Sequence, residues 1–268
     1  MNAVELSGVT FGYGERMLFE RFCLEVPTGE FLGVIGPNGA GKSTLLRLMA
    51  GLLSPAAGSV RVLDRDLAAS SRRELARTLG VVLQENPFAF DYTVMDVVMM
   101  GRNPYLGRFQ SPRRIDRVAV DAALEFVDAQ SLRDRQINSI SAGERQRVVL
   151  ARALAQQPGI LMLDEATSHL DISHQQLIAR TLLELNRQGK TVVFLSHDLN
   201  LAALCCSRVL LLDHGRAVAC DVPERVITAE RILAVYGVEP IVSRHPANGR
   251  PQVLLPVATS VGREAADS

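Results

Sequence analysis

The glycine-rich stretch that follows the first short apolar run constrains this chain most. Gly36, Gly41, Lys42 and Ser43 complete the pattern G-x-x-x-x-G-K-S. Residues 31–35 before it are typical of a buried strand, and a helical pattern begins near Lys42. Successive backbone N–H groups, the positive end of the helix and the lysine charge all favour bound phosphate, and the serine hydroxyl suits Mg²⁺. The sequence therefore predicts a strand–loop–helix unit that binds the phosphates of a nucleotide.

Composition limits the classes of protein that this chain can belong to. Of 268 residues, 47% are apolar and 22% are charged, which is the balance of a globular protein. The formal net charge is zero, so no basic surface predicts binding to nucleic acid or to anionic lipid. The apolar runs are too short to span a bilayer, and the N-terminus lacks the features of an export signal. The four cysteines lack the spacing of a metal-binding site. We expect a cytosolic protein with reduced cysteines that binds no nucleic acid.

The hydrophobic pattern predicts an α/β fold. Alternating residues over 2–11 indicate a half-buried strand, whereas the continuous apolar runs 79–83, 160–163 and 191–195 indicate strands buried on both faces. From residue 85 to about 136, strand-like runs stop and helical patterns take over. We therefore expect a helical insertion between strands of the core sheet.

Polar residues follow two of the buried runs. Asp164 and Glu165 end the run 160–163, and His197 follows the run 191–195. Ligands bind beyond the carboxyl ends of strands in open α/β sheets, and successive strand residues point in opposite directions. Asp164 can therefore hold Mg²⁺, while Glu165 polarises a water for in-line attack and His197 donates to a γ-phosphate. The alternatives are ordinary polar strand ends and a histidine satisfied by the backbone.

Three further features could contact a nucleotide. Ser141 and Glu144 form a capping box whose first turn is small enough for close approach, although a capped helix alone would also explain it. Tyr13 lies beside a glycine turn, so its ring could stack on adenine or cover the core. Asp171 is the predicted N-cap of a helix that runs to about Arg187.

Taken in order, these features resemble the ATP-binding subunit of an ABC transporter over residues 1–240. The resemblance implies an ABC-type P-loop ATPase with a mixed core sheet and an N-terminal antiparallel β region. A helical subdomain would occupy about residues 85–157. A C-terminal extension, partly disordered, would follow over residues 241–268.

The resemblance also assigns roles by position. The residues implied in nucleotide binding are Tyr13, Gly36, Pro37, Asn38, Gly39, Ala40, Gly41, Lys42, Ser43, Thr44, Ser141, Ala142, Gly143, Glu144 and Asp171. Those implied in catalysis are Lys42, Gln84, Glu165 and His197, and those implied in Mg²⁺ binding are Ser43, Gln84 and Asp164. The family's usual signature L-S-G-G-Q differs here at Ile140, Ala142 and Glu144, and the Ala142 methyl group is small enough to clear a phosphate.

Partners follow from the same resemblance. It implies a homodimer in which the signature helix of one chain caps the nucleotide held by the phosphate loop of the other. Residues 99–107, 196–200 and 235–239 are similar to those of iron-siderophore, haem and cobalamin importers. This implies an integral-membrane permease, an extracytoplasmic substrate-binding protein and a peripheral position at the cytoplasmic face of the inner membrane. Iron chelates are the favoured cargo, followed by cobalamin and then by haem or an oxyanion such as molybdate.

Other classes of function are less consistent with the sequence. A repair ATPase would need a long coiled coil, which is absent, and a translation factor would usually carry two phosphate loops, whereas this chain has one. A binding module without turnover would not need Glu165.

The aromatic residues Phe88, Phe90 and Tyr92 either contact the permease or form a local core. Arg145, Arg147 and Arg152 are expected on a solvated face.

Overall fold

The computed structural model describes residues 1–83, 90–166 and 170–256. Gln84, Phe88 and the last twelve residues lie outside these ranges, so the expectations attached to them stay predictions. The strands are β1 (Asn2–Tyr13), β2 (Arg16–Pro27), β3 (Phe31–Ile35), β4 (Ala57–Val62), β5 (Arg65–Asp66), β6 (Leu79–Val82), β7 (Ile160–Asp164), β8 (Thr191–Leu195), β9 (Arg208–Asp213), β10 (Arg216–Asp221), β11 (Ile241–Arg244) and β12 (Pro251–Leu254). The α-helices are α1 (Lys42–Met49), α2 (Arg72–Thr78), α3 (Val94–Met99), α4 (Arg114–Phe126), α5 (Ala142–Ala155), α6 (Ile172–Arg187), α7 (Leu199–Cys205), α8 (Pro223–Val226) and α9 (Ala229–Tyr236).

The central sheet has six strands in the order β10-β9-β3-β8-β7-β6. All neighbours are parallel except the hairpin of β9 and β10. Every residue of β3, β7 and β8 is buried, as expected for apolar strands covered on both faces. Because these strands are parallel, their carboxyl ends meet at one edge of the sheet. That edge carries the phosphate loop after β3, Glu165 after β7 and His197 after β8.

A second sheet, in the order β2-β1-β4-β5, forms the predicted N-terminal antiparallel region. Buried and exposed positions alternate along most of β1 and β2, as expected for strands with one face on the core. The buried face packs with α1 and with one side of the central sheet in a single hydrophobic cluster. Tyr13 pairs with Arg16 at the tip of the β1–β2 hairpin, which places both residues beside the start of α1.

The predicted helical insertion is present as α3, α4 and α5. Its core is formed by buried side chains from all three helices, including Val97, Val120, Leu124 and Val149. Tyr92 packs against this core, whereas Phe90 is 67% exposed. Tyr92 therefore belongs to the local core, whereas a permease contact of Phe90 stays a prediction.

A buried ion pair fixes the end of the insertion. Arg102 lies in the 3₁₀ segment Met100–Tyr105, and its Nε lies 3.1 Å from Oδ1 of Asp116 at the start of α4. The same guanidinium donates to the carbonyl of Ala155 at 2.7 Å and stacks over the Tyr105 ring at 3.9 Å. Tyr105 in turn donates to the carbonyl of Gln156 at 2.8 Å. The segment thus connects α4 to the end of α5.

The expectation that Arg145, Arg147 and Arg152 form a solvated face is wrong, because all three are partly buried. Arg147 donates to the carbonyls of Val127 and Asp128. Burial lowers the pKa of Arg152. Arginine can cover apolar surface with its stem while its guanidinium bonds to carbonyl groups, and sequence spacing does not reveal this.

The C-terminal residues form a short hairpin of β11 and β12. In the described ranges, no helix combines the length and the apolar character that a bilayer crossing requires.

Removing the arginine of the buried pair should destabilise the fold. Burial alone would raise the pKa of Asp116, but hydrogen bonds from Arg113 and Arg102 outweigh it and hold that pKa below its usual value. We expect Arg102→Ala to lower the free energy of unfolding by about 3–5 kcal/mol, because it leaves a buried carboxylate with only the exposed Arg113 guanidinium, 3.9 Å away, as its cation. Urea unfolding followed by circular dichroism measures this.

The control is Arg133→Ala. Arg133 pairs with Asp121 at 2.6 Å, but both side chains are over 40% exposed, and such pairs contribute less than about 1 kcal/mol. Equal losses for the two variants would contradict a special role for the buried pair.

Candidate nucleotide-binding site

The phosphate loop depends on glycine backbone geometry. Gly36, Gly39 and Gly41 have φ angles of 150°, 80° and 104°, which L side chains rarely adopt. At Gly36 a Cβ atom would lie 2.1 Å from the carbonyl oxygen of Leu212. These backbone angles require glycine in the loop, and at Gly36 the close contact with β9 is a second reason.

Lys42 is held inside the loop. Its Nζ donates to the carbonyls of Gly36 at 2.8 Å and Pro37 at 3.0 Å. Burial lowers the pKa of this lysine, and the nearby carboxylates of Glu165 and Asp164 oppose that change. Because α1 begins after Gly41, no side chain caps its first turn. The lysine and the first-turn N–H groups together form a cradle that suits an anion.

Ser43 and Asp164 come together from separate parts of the chain. Ser43 Oγ donates to Asp164 Oδ1 at 3.1 Å. Burial raises the pKa of Asp164, as does Glu165, while the bond from Ser43 lowers it. A hydroxyl and a carboxylate are the oxygen ligands that Mg²⁺ takes when phosphates complete its shell. In the part of the chain that the structure describes, no cluster of three or more acidic, histidine or cysteine side chains forms an all-protein metal site.

Glu165 and His197 reach the same cleft from neighbouring strands. Glu165 has a φ angle of 49° and donates its backbone N–H to Leu195 at 3.1 Å, so the chain turns sharply at the end of β7. A non-glycine residue in this conformation costs free energy, and such residues cluster at functional sites. His197 follows the buried Ser196, whose N–H bonds to Val34 at 3.1 Å.

These elements enclose an open cleft of about 840 Å³. The residues that line it are Tyr13, Arg16, Leu18, Asn38, Gly39, Gly41, Lys42, Ser43, Thr44, Glu165 and His197. Arg16 and Leu18 were missing from the sequence prediction. Arg16 is paired with Tyr13 in the β1–β2 hairpin, and Leu18 lies two residues further along β2. This hairpin pairing is the signal that could have indicated them.

Tyr13 lies at the rim of the cleft. Its ring is 51% exposed and contacts Phe11 edge-on, with centroids 5.0 Å apart. The hydroxyl lies 3.2 Å from Thr44 Oγ1. The tyrosine thus contacts the phosphate loop directly and leaves part of its ring open, so stacking on adenine stays a prediction.

The turn at Ser141 lies elsewhere on the surface. Both bonds of the predicted capping box are present: the Ser141 N–H donates to Glu144 at 2.8 Å, and the Glu144 N–H donates to Ser141 Oγ at 3.2 Å. Hydrogen bonds from Ser141 lower the pKa of Glu144. Among the described residues that line the cleft, none comes from 141–144.

Asp171 is the N-cap of α6, as predicted. It accepts bonds from the His174 N–H at 2.9 Å and from Ser173 Oγ at 2.7 Å. These bonds hold the pKa of Asp171 well below its usual value. His174 packs so closely on Gly143 that a Cβ atom there would lie 2.4 Å from the ring. Asp171 and the Ser141 turn therefore form one continuous surface.

Comparison with known proteins agrees with this geometry. Residues 19–168 match the ABC transporter family. The chain belongs to this family. The hemin import ATP-binding protein HmuV of Pseudomonas entomophila (strain L48) is 43% identical over 256 residues, covering 94% of this chain and 99% of the relative. The ferric enterobactin transport ATP-binding protein FepC of Escherichia coli (strain K12) is 38% identical over 247 residues, covering 92% of this chain and 91% of the relative.

A solved structure supports the same assignment. An ABC transporter assigned to the metal-chelate type, in an inward-facing conformation, superposes with a TM-score of 0.84 and 27% identity, covering 96% of this chain and 98% of that one. The fold is therefore that of an ABC ATPase. ATP is the nucleotide of this family, and the chain is an ATPase subunit that works with a membrane permease.

Adding one methyl group to the loop should disrupt it. We expect Gly36→Ala to lower the free energy of unfolding by about 1–3 kcal/mol from the backbone conformation alone. ATP binding should also weaken, because the loop must move away from Leu212. Urea unfolding and titration with a fluorescent ATP analogue measure the two effects.

Gly159→Ala is the matched control, since a Cβ atom there meets nothing within 4 Å. Its effect should stay within about 0.5 kcal/mol. Normal ATP affinity in Gly36→Ala would refute the steric argument.

Proposed function

We propose that two copies of this chain close on two Mg²⁺–ATP molecules, and that hydrolysis lets them separate to drive import of an iron-bearing chelate. The observation that carries the proposal is the division of the site within one chain. Lys42, Ser43, Asp164, Glu165 and His197 converge on one cleft or its floor, whereas the Ser141 turn does not line it.

The roles follow from the chemistry of each group. Lys42 and the α1 N–H groups bind the phosphates, and Ser43 and Asp164, with Gln84, hold Mg²⁺. Glu165 polarises the attacking water, and His197 donates to the γ-phosphate. Phosphoryl transfer needs mainly positioning and charge neutralisation, and these groups supply both.

Dimerisation gives the Ser141 turn its ligand. The capped start of α5 presents small residues, with Ala142 and Ser141 both exposed, and its N–H groups suit a phosphate held by the other chain. Asp171 lies on the same surface through the contact of Gly143 with His174. A ligand bound between two chains favours their association, and cleavage of the ligand weakens that association.

The relatives support the cargo class. The two relatives are named for hemin import and ferric enterobactin transport, and both of these cargoes hold iron in an organic chelate. The subunit would lie at the cytoplasmic face of the inner membrane, below a permease that receives cargo from an extracytoplasmic substrate-binding protein. Exposed Phe90 is a candidate contact with that permease.

The hydrolytic step is tested by Glu165→Gln. We expect phosphate release to fall at least about 10²-fold, while ATP-bound dimers accumulate, because binding remains and the base is lost. Size-exclusion chromatography with Mg²⁺ and ATP, together with a phosphate assay, measures both. Glu184→Gln, a partly exposed site on α6, is the control. Unchanged hydrolysis would remove Glu165 from the mechanism, and monomers under all conditions would refute the dimer.

The cargo is tested in cells that carry Glu165→Gln in the chromosomal gene. Uptake of radioactive iron supplied as hemin or as a ferric siderophore should fall to background, because transport needs hydrolysis. Cobalamin-dependent growth and molybdate-dependent nitrate reduction should continue. Normal iron uptake with loss of either of those functions would show that the cargo assignment is wrong.

A further inference from the structure

The C-terminal hairpin makes a specific contact with the helix that follows His197. The Asn200 amide donates from Nδ2 to the carbonyl of Val253 at 3.1 Å, and its Oδ1 accepts from the N–H of Val253 at 2.6 Å. One side chain therefore bonds both polar groups of one residue in β12. Those two groups point to the same edge of the strand, so Asn200 takes the place of a neighbouring strand there.

Helix α7 needs this kind of support. It has seven residues, and helices of this length are marginal without tertiary contacts. One side packs on β3, where a Cβ atom at Gly33 would lie 2.7 Å from Cys206 Sγ and 3.6 Å from Ala202 Cβ. The Asn200 amide fastens the first turn of the helix to the hairpin.

The same first turn determines where His197 lies. Asp198 caps α7 by accepting from the N–H groups of Asn200 at 2.9 Å and Leu201 at 3.0 Å. The Asp198 N–H donates to Ser196 Oγ at 3.0 Å. His197 is therefore held between a residue buried at the end of β8 and a residue fixed to α7. A shift of the first turn of α7 would shift the histidine.

The hairpin itself is firmly attached. Val253 packs against the main hydrophobic core, and Pro251 is buried. Before the hairpin, Tyr236 at the end of α9 places its phenol beside the backbone N–H of Gly36. Burial raises the pKa of Tyr236 to about 12, and that N–H opposes the rise. The C-terminal segment thus contacts the phosphate loop and the helix after His197.

We propose that Asn200 is a positioning residue, which holds His197 at the γ-phosphate through its paired hydrogen bonds to Val253. The C-terminal hairpin is then part of the catalytic apparatus without touching nucleotide. The inference rests on the proposed role of His197. Because the lysine cradle is separate from α7, loss of the amide should affect turnover rather than ATP binding.

The test is a double-mutant cycle of Asn200→Ala and His197→Ala, with kcat and KM for ATP measured in the full chain. We expect Asn200→Ala to lower kcat about five- to twentyfold with little change in KM, because small misplacements of a reacting group have large effects on rate. In the His197→Ala background the same substitution should lower kcat less than about twofold, since the group it positions is gone.

Two further comparisons separate the amide bonds from packing. Val253→Pro removes the backbone N–H that donates to Asn200 Oδ1, so it should lower kcat as Asn200→Ala does. Val253→Ala keeps both backbone hydrogen bonds to Asn200 and should retain activity. Gln188→Ala, which removes an exposed amide bonded to Glu184, is the control for loss of a side-chain amide.

Each outcome bears on the proposal. The positioning role would be overturned if Asn200→Ala lowered kcat equally in the wild-type chain and in His197→Ala, or if Asn200→Ala left kcat unchanged. It would also be overturned if the fall in kcat came with a large fall in melting temperature. If His197→Ala retains the wild-type rate, the proposed role of His197 fails. If His197→Ala is impaired and Asn200→Ala is not, only the positioning role fails.

Discussion

The contact between Ser43 and Asp164 is the interaction on which the site depends. The two residues are 121 positions apart in the sequence. Strand β8 lies between β7, which ends in Asp164, and β3, which leads into the loop before Ser43, so β3 and β7 are about 10 Å apart. The glycine loop closes this distance by turning across the sheet edge before α1 begins. A sheet with another strand order would leave the hydroxyl and the carboxylate on separate elements.

The same contact explains the electrostatic state of the site. Burial lowers the pKa of Lys42 and raises that of Asp164, so the surroundings disfavour each charged form. The charges of Lys42 and Asp164 attract each other, but this attraction opposes the two pKa shifts only in part. A triphosphate supplies the negative charge that Lys42 lacks, and a cation supplies the positive charge that Asp164 lacks. The arrangement therefore favours nucleotide and cation together over either alone.

Sequence reasoning succeeded where function depends on local structure. The phosphate loop, the Ser141 capping box and the Asp171 cap each lie within a few residues. Helix α1 begins at Lys42 as predicted, and the hydrogen bonds of the two predicted caps are present. It failed where a side chain meets a distant part of the chain. Arg102 and Ala155 are 53 residues apart, as are Asn200 and Val253, and neither spacing carries a periodic signal.

Those distant contacts also determine how one helix can move. Helix α5 has 14 residues, which gives a length of about 21 Å. At its start, Gly143 meets the ring of His174, and at its end the carbonyls of Ala155 and Gln156 accept bonds from Arg102 and Tyr105. An α-helix fixed at both ends moves as a rigid body, because its backbone bonds resist bending. A displacement of the Met100–Tyr105 segment that keeps its bonds to Ala155 and Gln156 would therefore be transmitted along α5 to the Ser141 turn at the opposite end.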